Sequence, residues 1–419
     1  MKISRPRGTK DLFGLEIDKY NFVIDTCKQL AQNYGFFEII LPTFEYNELF
    51  YRNNENSDIV KKELYEFKDR GDRLLALRPE ATASLIRCLG ENKLLHNWPL
   101  PVKVFTYGSM FRYERPQDGR QREFQQFDIE IIGNDSIYDV VNVISYGHKI
   151  LSKLNLLKNV ELRINFIGSF ETRSKWIKEL KMYFNKYQNE LSELSQERLK
   201  TNPLRILDDK IDGKLPFVID APKIFDFLTN EEKEKFYETL KVLDLLEINY
   251  KVTDNLVRGL DYYTDIVFEF VDLTDNLTII GGGQYDKLVE ELTGENLKAI
   301  GLAVGVNRCA NMIDDSIVNE IINANNKKIL LIGLDSMFSK DLIKLSDNLL
   351  KENCPLIYNH KINDIKKGIK FCERLGYRYL GIIGLNEMKA KSINIKDLLT
   401  QNQIEIDQSK IKNWWMDLK

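Results

Sequence analysis

Residues 105–130 limit what this chain can fold into more than any other stretch. They read as strand, loop and returning strand: a largely apolar run from Phe105, a loop shaped by Pro116 and Gly119, then Glu123–Ile132. In the returning strand Gln126, Asp128 and Glu130 share one parity, while Phe127, Ile129 and Ile131 point the other way, onto an apolar side. Arg112, Arg115, Arg120 and Arg122 crowd the loop. A hairpin with one solvated face would account for the alternation alone. Four guanidiniums on one short hairpin repel each other, however, unless an anion sits among them. The guanidinium fork is also the side chain best shaped for phosphate.

The surrounding pattern favours an antiparallel sheet. Further strands are predicted at Phe36–Ile40, Arg73–Leu77, Val102–Tyr107, Asp265–Val271 and Ile300–Val306, most of them separated by turns or loops instead of regular helices. A helix is predicted from Glu16 to Tyr34, because Tyr20, Ile24, Cys27, Ala31 and Tyr34 fall on one face and Gly35 follows as a stop. From about 170 to 250 the texture becomes helical and rich in Lys and Glu, which reads as a helical insertion between strand-rich parts. Asp314–Lys328 is polar and reads as a helix end running into a linker. Beyond it, strands at 329–332, 356–358 and 379–383 alternate with helices at 339–352 and 365–375, the signature of a small parallel α/β domain.

Composition removes several classes. The 419 residues are 43% hydrophobic and 29% charged, ordinary for a folded globular chain of two or three domains. No apolar run is long enough to span a membrane and no secretory h-region follows Met1, so neither a membrane nor export is expected. Five scattered cysteines without a C-x-x-C pair point to reduced thiols in a cytoplasmic protein, and three isolated histidines argue against zinc. The formal charge of −3 hides a polarised chain. Residues 327–419 hold 17 basic and 11 acidic side chains, a surplus of six positive charges, against nine surplus negative charges in the rest. The tail is suited to an RNA backbone.

Other segments supply groups that complement an anion on the hairpin. Leu77–Thr82 sets Glu80 and Thr82 just after a strand; Glu80 could equally stabilise a helix start. Leu256–Thr264 brings Arg258, Tyr262 and Tyr263 to the beginning of another strand. Ile280–Asp286 holds three glycines, which let a backbone approach a ligand closely, and Tyr285. Gly301–Arg308 pairs a small-residue strand with an arginine at the following helix start. A triphosphate lying over the polar sheet face would satisfy the arginines and that face together.

In this order the segments resemble the class II aminoacyl-tRNA synthetases, and specifically the histidyl-tRNA synthetase family. Phe36–Glu45 with Pro42 is similar to the dimer-forming first motif, Phe111–Glu130 to the second and Gly301–Arg308 to the third. Leu256–Thr264 and Gly281–Asp286 resemble the two histidine-specific signatures, and the resemblance covers essentially the whole chain. It implies an α+β fold: an antiparallel-sheet catalytic domain over residues 1–325 with the helical insertion, and a C-terminal α/β anticodon-binding domain over 326–419. It implies ATP with Mg²⁺, L-histidine and tRNA(His) as substrates, and a homodimer.

By the same resemblance, Arg112 holds the α-phosphate, Glu114 the adenine edge, and Arg120 and Arg308 the outer phosphates. Arg258 bridges the histidine carboxylate and the α-phosphate. Glu80, Thr82 and Gln126 take the α-ammonium group. Neutral imidazole has one donor and one acceptor, so Glu130 would accept from it and Tyr263 donate to it, with Tyr262 and Tyr285 lining the pocket. Arg115 and Gln117 lie near the tRNA acceptor end. Three positions depart from the family pattern: Ala81 for Gly, Gln284 for Arg and Asn307 for Glu. The competing readings are a synthetase-like regulatory subunit and a class II enzyme for another amino acid. The first typically lacks signature residues that are present here, and the Arg258–Tyr263 and Gly281–Tyr285 segments speak against the second.

Overall fold

The computed structural model describes residues 3–51, 63–114, 120–207, 209, 211–258, 262–325 and 327–418. The chain forms two compact units, Met1–Ile313 and Asp314–Lys419.

An eight-stranded sheet organises the first unit, in the order β1-β5-β6-β11-β10-β9-β7-β8. Its strands are β1 (Phe37–Glu38), β5 (Val102–Phe111), β6 (Glu123–Ile132), β7 (Val160–Phe166), β8 (Lys251–Val252), β9 (Tyr263–Asp272), β10 (Thr278–Tyr285) and β11 (Ala299–Gly305). The six long strands pair antiparallel, and the two-residue edges β1 and β8 pair parallel to β5 and β7. A separate three-stranded sheet joins β2 (Phe44–Tyr46), β3 (Tyr65–Lys68) and β4 (Leu74–Leu77) in the order β2-β4-β3. The hairpin that opens the sequence argument is β5 and β6, with Gly108 opposite Gln126, Thr106 opposite Asp128 and Val104 opposite Glu130.

The two faces of the large sheet are treated differently. Phe127, Ile129 and Ile131 are buried on one of them, which is covered by helices Leu15–Asn33, Ile137–Lys153 and Val306–Met312. Tyr146 ties the first two helices by donating to the Cys27 carbonyl at 2.8 Å. On the other face Leu85, Ile86, Val104, Met110 and Leu288 form a core under helices Thr82–Glu91 and Lys287–Thr293. Each such fully buried aliphatic side chain contributes roughly 1.5–3 kcal/mol, so the pocket beside them has rigid walls. Helices between Phe170 and Leu245 lie between β7 and β8 in the chain and bury Trp176, Leu180, Phe184 and Phe236.

Several expectations need adjustment. The first helix spans Leu15–Asn33, with Gly35 at φ +78° after it. The strand expected at Phe36–Ile40 shrinks to Phe37–Glu38, because its pairing with β5 covers only two residues. Strand β10, not among the strands predicted, contains all three glycines, so they sit inside the sheet. Asp315–Asn325 is a helix of its own and belongs to the second unit.

That second unit has a five-stranded sheet in the order β13-β12-β14-β15-β16. Strands β12 (Ile329–Gly333), β13 (Leu356–Tyr358) and β14 (Tyr379–Ile383) are parallel, with helices Ser339–Lys351 and Ile365–Leu375 between them. The sheet is mixed and not purely parallel, since β15 (Ser392–Asp397) pairs antiparallel with β14 and β16 (Gln403–Asp407) antiparallel with β15. Among the described residues no helix is long and apolar enough to cross a membrane.

Candidate active site

On the face of the large sheet opposite the three helices lies a cavity of about 570 Å³, within the range of small-molecule sites. Arg112, Glu114, Arg120, Gln126, Arg258, Tyr263 and Arg308 all line it. Asn307, one of the departures from the family pattern, lines it too, as do Lys10, Gln125, Glu269 and Thr278, which were not singled out from the sequence.

The cations are held by carbonyls and carboxylates around the rim. Arg112 donates from Nε to the Pro79 carbonyl at 3.0 Å and lies over the Phe124 ring, 5.2 Å from its centroid. Arg120 reaches Glu114 Oε2 at 3.2 Å. Arg308 donates to the Thr278 carbonyl. Burial draws its guanidinium affinity for a proton downward, and the neighbouring Arg120 and Arg112 add to that against Glu114 and Asp275. An anion in the cavity would relieve this repulsion. Arg122 does not join the cluster. It stacks 4.0 Å from the Tyr113 centroid and bonds the Glu114 carbonyl at 3.2 Å, so it shapes the loop.

Arg258 has a partner that the sequence reading missed. It pairs with Glu269 on β9, which also accepts from Thr278 Oγ1 at 2.8 Å. Burial would lower the Arg258 pKa, but Glu269 outweighs it and the group is held firmly charged. Arg258 Nε finds no acceptor among the described residues. Glu269 is the one acid in the apolar run Ile266–Val271, a signal that alternation could have exposed.

Deeper in the sheet, Glu130 is 2% exposed and accepts from Thr82 Oγ1 and from the Tyr285 hydroxyl, each at 2.8 Å. Burial pushes its carboxyl up to about 8; the two hydrogen bonds oppose that shift and the Glu80 charge adds to it. Tyr285 therefore binds the carboxylate directly, beyond the lining role expected of it. Tyr262 and Tyr263 stand beside it, with ring centroids 5.5 Å apart for Tyr262–Tyr285 and 4.7 Å for Tyr262–Tyr263. Glu80 caps the helix Thr82–Glu91 by accepting from the Ala83 amide at 3.0 Å. Gln126 Oε1 and Asp128 Oδ2 are buried without a hydrogen-bond partner among the described residues.

The glycines make room for protein side chains instead of for a ligand backbone contact. A Cβ on Gly301 would collide with the Glu130 carboxyl, and one on Gly281 would meet the Arg258 guanidinium at 2.6 Å from Nη1. One on Gly283 would come within 2.8 Å of the Tyr263 ring. Of the three departures from the family pattern, Asn307 accepts from the Gln125 amide at 2.7 Å, and Gln284 accepts from the Ile266 amide at 3.3 Å. Ala81 is fully buried. Pro42 is exposed between β1 and β2, its carbonyl taken by buried Arg78 at 3.3 Å. Arg115 and Gln117 lie outside the described residues.

A largely antiparallel sheet with an arginine-lined cavity on one face, entered by a β5–β6 hairpin, is the catalytic architecture of a class II aminoacyl-tRNA synthetase. The model of the family described as histidyl-tRNA synthetase matches residues 8–309. A histidine–tRNA ligase of Mycoplasma pneumoniae is 44% identical over 402 residues, 96% of each chain. The crystal structure of the apo histidyl-tRNA synthetase of Staphylococcus aureus superposes with a TM-score of 0.79 at 29% identity, covering 99% of this chain and 100% of that one. The chain belongs to the histidyl-tRNA synthetase family. A Bacillus halodurans structure described as an ATP phosphoribosyltransferase regulatory subunit/histidyl-tRNA synthetase shares the fold alone. Its TM-score is 0.65 at 17% identity, over 92% of this chain and 98% of that one.

Proposed function

We propose that the chain ligates L-histidine to tRNA(His) in two steps. The histidine carboxylate attacks the α-phosphorus of ATP and pyrophosphate leaves. The terminal adenosine hydroxyl of the tRNA then attacks the mixed anhydride and AMP leaves. Neither step needs a side-chain nucleophile, so catalysis rests on position and on offsetting phosphate charge. Arg112 binds the α-phosphate, Glu114 the adenine edge, and Arg120 and Arg308 the outer phosphates. Arg258, oriented by Glu269, reaches the substrate carboxylate and α-phosphate from the cavity wall. Mg²⁺ arrives on the phosphate oxygens as part of the nucleotide substrate. The carboxylates on the cavity wall, Glu114 and Glu269, are already engaged by Arg120 and Arg258.

The observation that carries the choice of amino acid is the buried Glu130, bonded by Thr82 and Tyr285 in a tyrosine-walled pocket beside the cation cluster. Its ionised carboxylate has an acceptor left for an imidazole N–H, and Tyr263 faces the same pocket with a donor. Glu80, Thr82 and Gln126 take the α-ammonium group. A pocket built on such bonds rejects isosteres that lack them by roughly 10⁴–10⁵. Histidine-dependent ATP–pyrophosphate exchange, run across the twenty amino acids, tests this reading. Exchange with histidine alone, abolished in Glu130→Ala, is the expected result. Exchange without any amino-acid dependence would instead favour a regulatory subunit.

Residues 326–419 serve as the anticodon-binding domain, supported by their positive surplus. Arg115 and Gln117 serve the acceptor end. The working form is a cytoplasmic homodimer joined through the segment around Pro42, supported by the exposed Phe37, Ile40, Phe44 and Tyr46 near it. Sedimentation equilibrium checks the dimer; a monomer at micromolar concentration would remove it.

A further inference from the structure

Strand β9 is interrupted where it enters the tyrosine pocket. Thr264 pairs with Gln284 and Val267 with Gly283, so Asp265 and Ile266 have no partner on β10. This is a β-bulge, the device that re-aims side chains beside a site. Asp265 sits at φ +50°, the left-handed region that non-glycine residues seldom enter, although aspartate tolerates it better than most. One residue upstream of the bulge, beyond Thr264, come Tyr263 and Tyr262.

Two cations from the helical insertion hold this bulge. Arg173, on helix Phe170–Asn185, donates to the Tyr263 carbonyl. Lys235, on helix Asn230–Leu245, places Nζ 3.1 Å from Asp265 Oδ2 and 2.6 Å from Asp135 Oδ1. The two helices are locked to each other at their starts by Glu232. It closes the Thr229 capping box and accepts from the Ser169 amide at 2.8 Å and from Thr172 Oγ1 at 3.0 Å. The Asp135 carboxylate is about half exposed, so its bridge is weak. The Asp265 carboxylate is buried, and there removal of Lys235 takes away its direct ion pair, leaving the charge of Lys298, which is itself bonded to Asp286.

On the strand side of the bulge, Lys298 just before β11 also acts through space on Asp265 and Asp135. Gln284 fills the space beside it: Oε1 accepts from the Ile266 amide at 3.3 Å and Nε2 lies 3.5 Å from Asp135 Oδ1. Asp286 has its own lysine, Lys298, at 2.9 Å.

We propose that Lys235 is a positioning residue for amino-acid activation: through Asp265 it fixes the β9 bulge and so sets Tyr262 and Tyr263 in the substrate pocket, making that pocket depend on the helical insertion. The proposal rests on the histidine-ligase reading for its substrate. Lys235 lines no part of the cavity, and its effect falls on the amino-acid half of the site and not on the arginines that face phosphate.

The test uses the full-length protein in ATP–pyrophosphate exchange. Lys235→Met is expected to raise KM for histidine roughly tenfold while KM for ATP and kcat stay within about threefold, and Lys235→Arg to restore the wild-type value. In the double variant Lys235→Met/Gln284→Arg a guanidinium beside Asp135 replaces the lost cation and lowers KM again. Hydrogen exchange gives a readout independent of the reaction: the Asp265 and Ile266 amides are expected to exchange at least tenfold faster in Lys235→Met and to recover in Lys235→Arg. An unchanged histidine KM, an equal rise in both KM values, or unchanged exchange at those amides overturns the proposal. If the wild-type protein activates another amino acid, the histidine reading fails in that arm. The same KM split, measured with that amino acid, then still judges Lys235.

Discussion

Tyr285 donates its hydroxyl to Glu130 Oε2 at 2.8 Å, joining two residues 155 positions apart in the chain. Strand β11 lies between their strands, and Gly301 on it leaves the space in which the carboxyl sits. The bond exists because a glycine, a carboxylate and a tyrosine on three strands face one way, and the substrate reading depends on the state of that carboxylate.

With its carboxyl pushed up to about 8 by burial, Glu130 is mostly protonated at neutral pH in the empty pocket. Accepting an imidazole N–H requires the ionised form, so binding releases a proton. Calorimetry at pH 7 in buffers of different ionisation heat is expected to show close to one proton released per histidine. Affinity should rise about tenfold per pH unit up to about 8 and then level off. In Glu130→Gln both the proton release and the slope should vanish.

The same group affects stability with a definite sign. A carboxyl that binds its proton more tightly when folded stabilises the native state at low pH. That contribution is lost as pH rises from the ordinary 4.5 through about 8. Glu130→Gln cannot ionise, so its melting temperature is expected to exceed that of the parent at pH 8.5 and to approach it near pH 5, while histidine activation is lost. Equal differences at both pH values would mean that Glu130 is already ionised in the folded protein.

Gly301→Ala tests the space instead of the charge. The added methyl would fall on the Glu130 carboxyl, which is gripped by Thr82 and Tyr285 and has little freedom to retreat. Histidine-dependent exchange is expected to fall at least a hundredfold with the protein still folded by circular dichroism.

On the phosphate side, Arg308→Gln removes one cation from a group whose members repel when the cavity holds no anion. Pyrophosphate exchange should fall by roughly 10²–10³, as for other preorganised charge contacts. KM for ATP should rise, and calorimetric histidine affinity in the absence of ATP should stay unchanged. A matching loss of histidine affinity would move Arg308 out of the nucleotide half.

How far the sequence anticipated this depends on whether a signal was local. Strand β6 and the C-terminal strands Leu356–Tyr358 and Tyr379–Ile383 were legible to the residue, because apolar alternation or turn-bounded runs mark their ends. The grouping of Arg112, Arg120, Arg258 and Arg308 was legible through family motifs. Glu269 was not: although it is the one acid in Ile266–Val271, its pairing with Arg258 is a tertiary relation that no local spacing marks. Strand β10 was missed for a related reason. Its glycines read as room for a ligand, yet a Cβ on any of them would meet atoms of neighbouring strands or of the Arg258 side chain. The mixed sheet of the second unit was missed although Ser392–Asp397 and Gln403–Asp407 alternate regularly, with Ile393, Ile395, Ile404 and Ile406 between polar residues; the preceding strand–helix alternation drew the reading to a parallel sheet.

The last prediction concerns the division of labour between the two units. Every described residue of the cavity and of the Glu130 pocket lies before Ile313, and the surplus of positive charge lies in the tail. A chain ending at Ile313 is expected to keep histidine-dependent exchange within about tenfold of the parent. Transfer to tRNA(His) should drop far more, by at least a hundredfold in kcat/KM, through KM for tRNA. The parent's charging should also weaken steeply with added salt, as phosphate contacts require, and the truncated chain should show a shallower salt slope. Equal losses in exchange and transfer would show that the second unit supports the catalytic sheet itself and not the grip on tRNA.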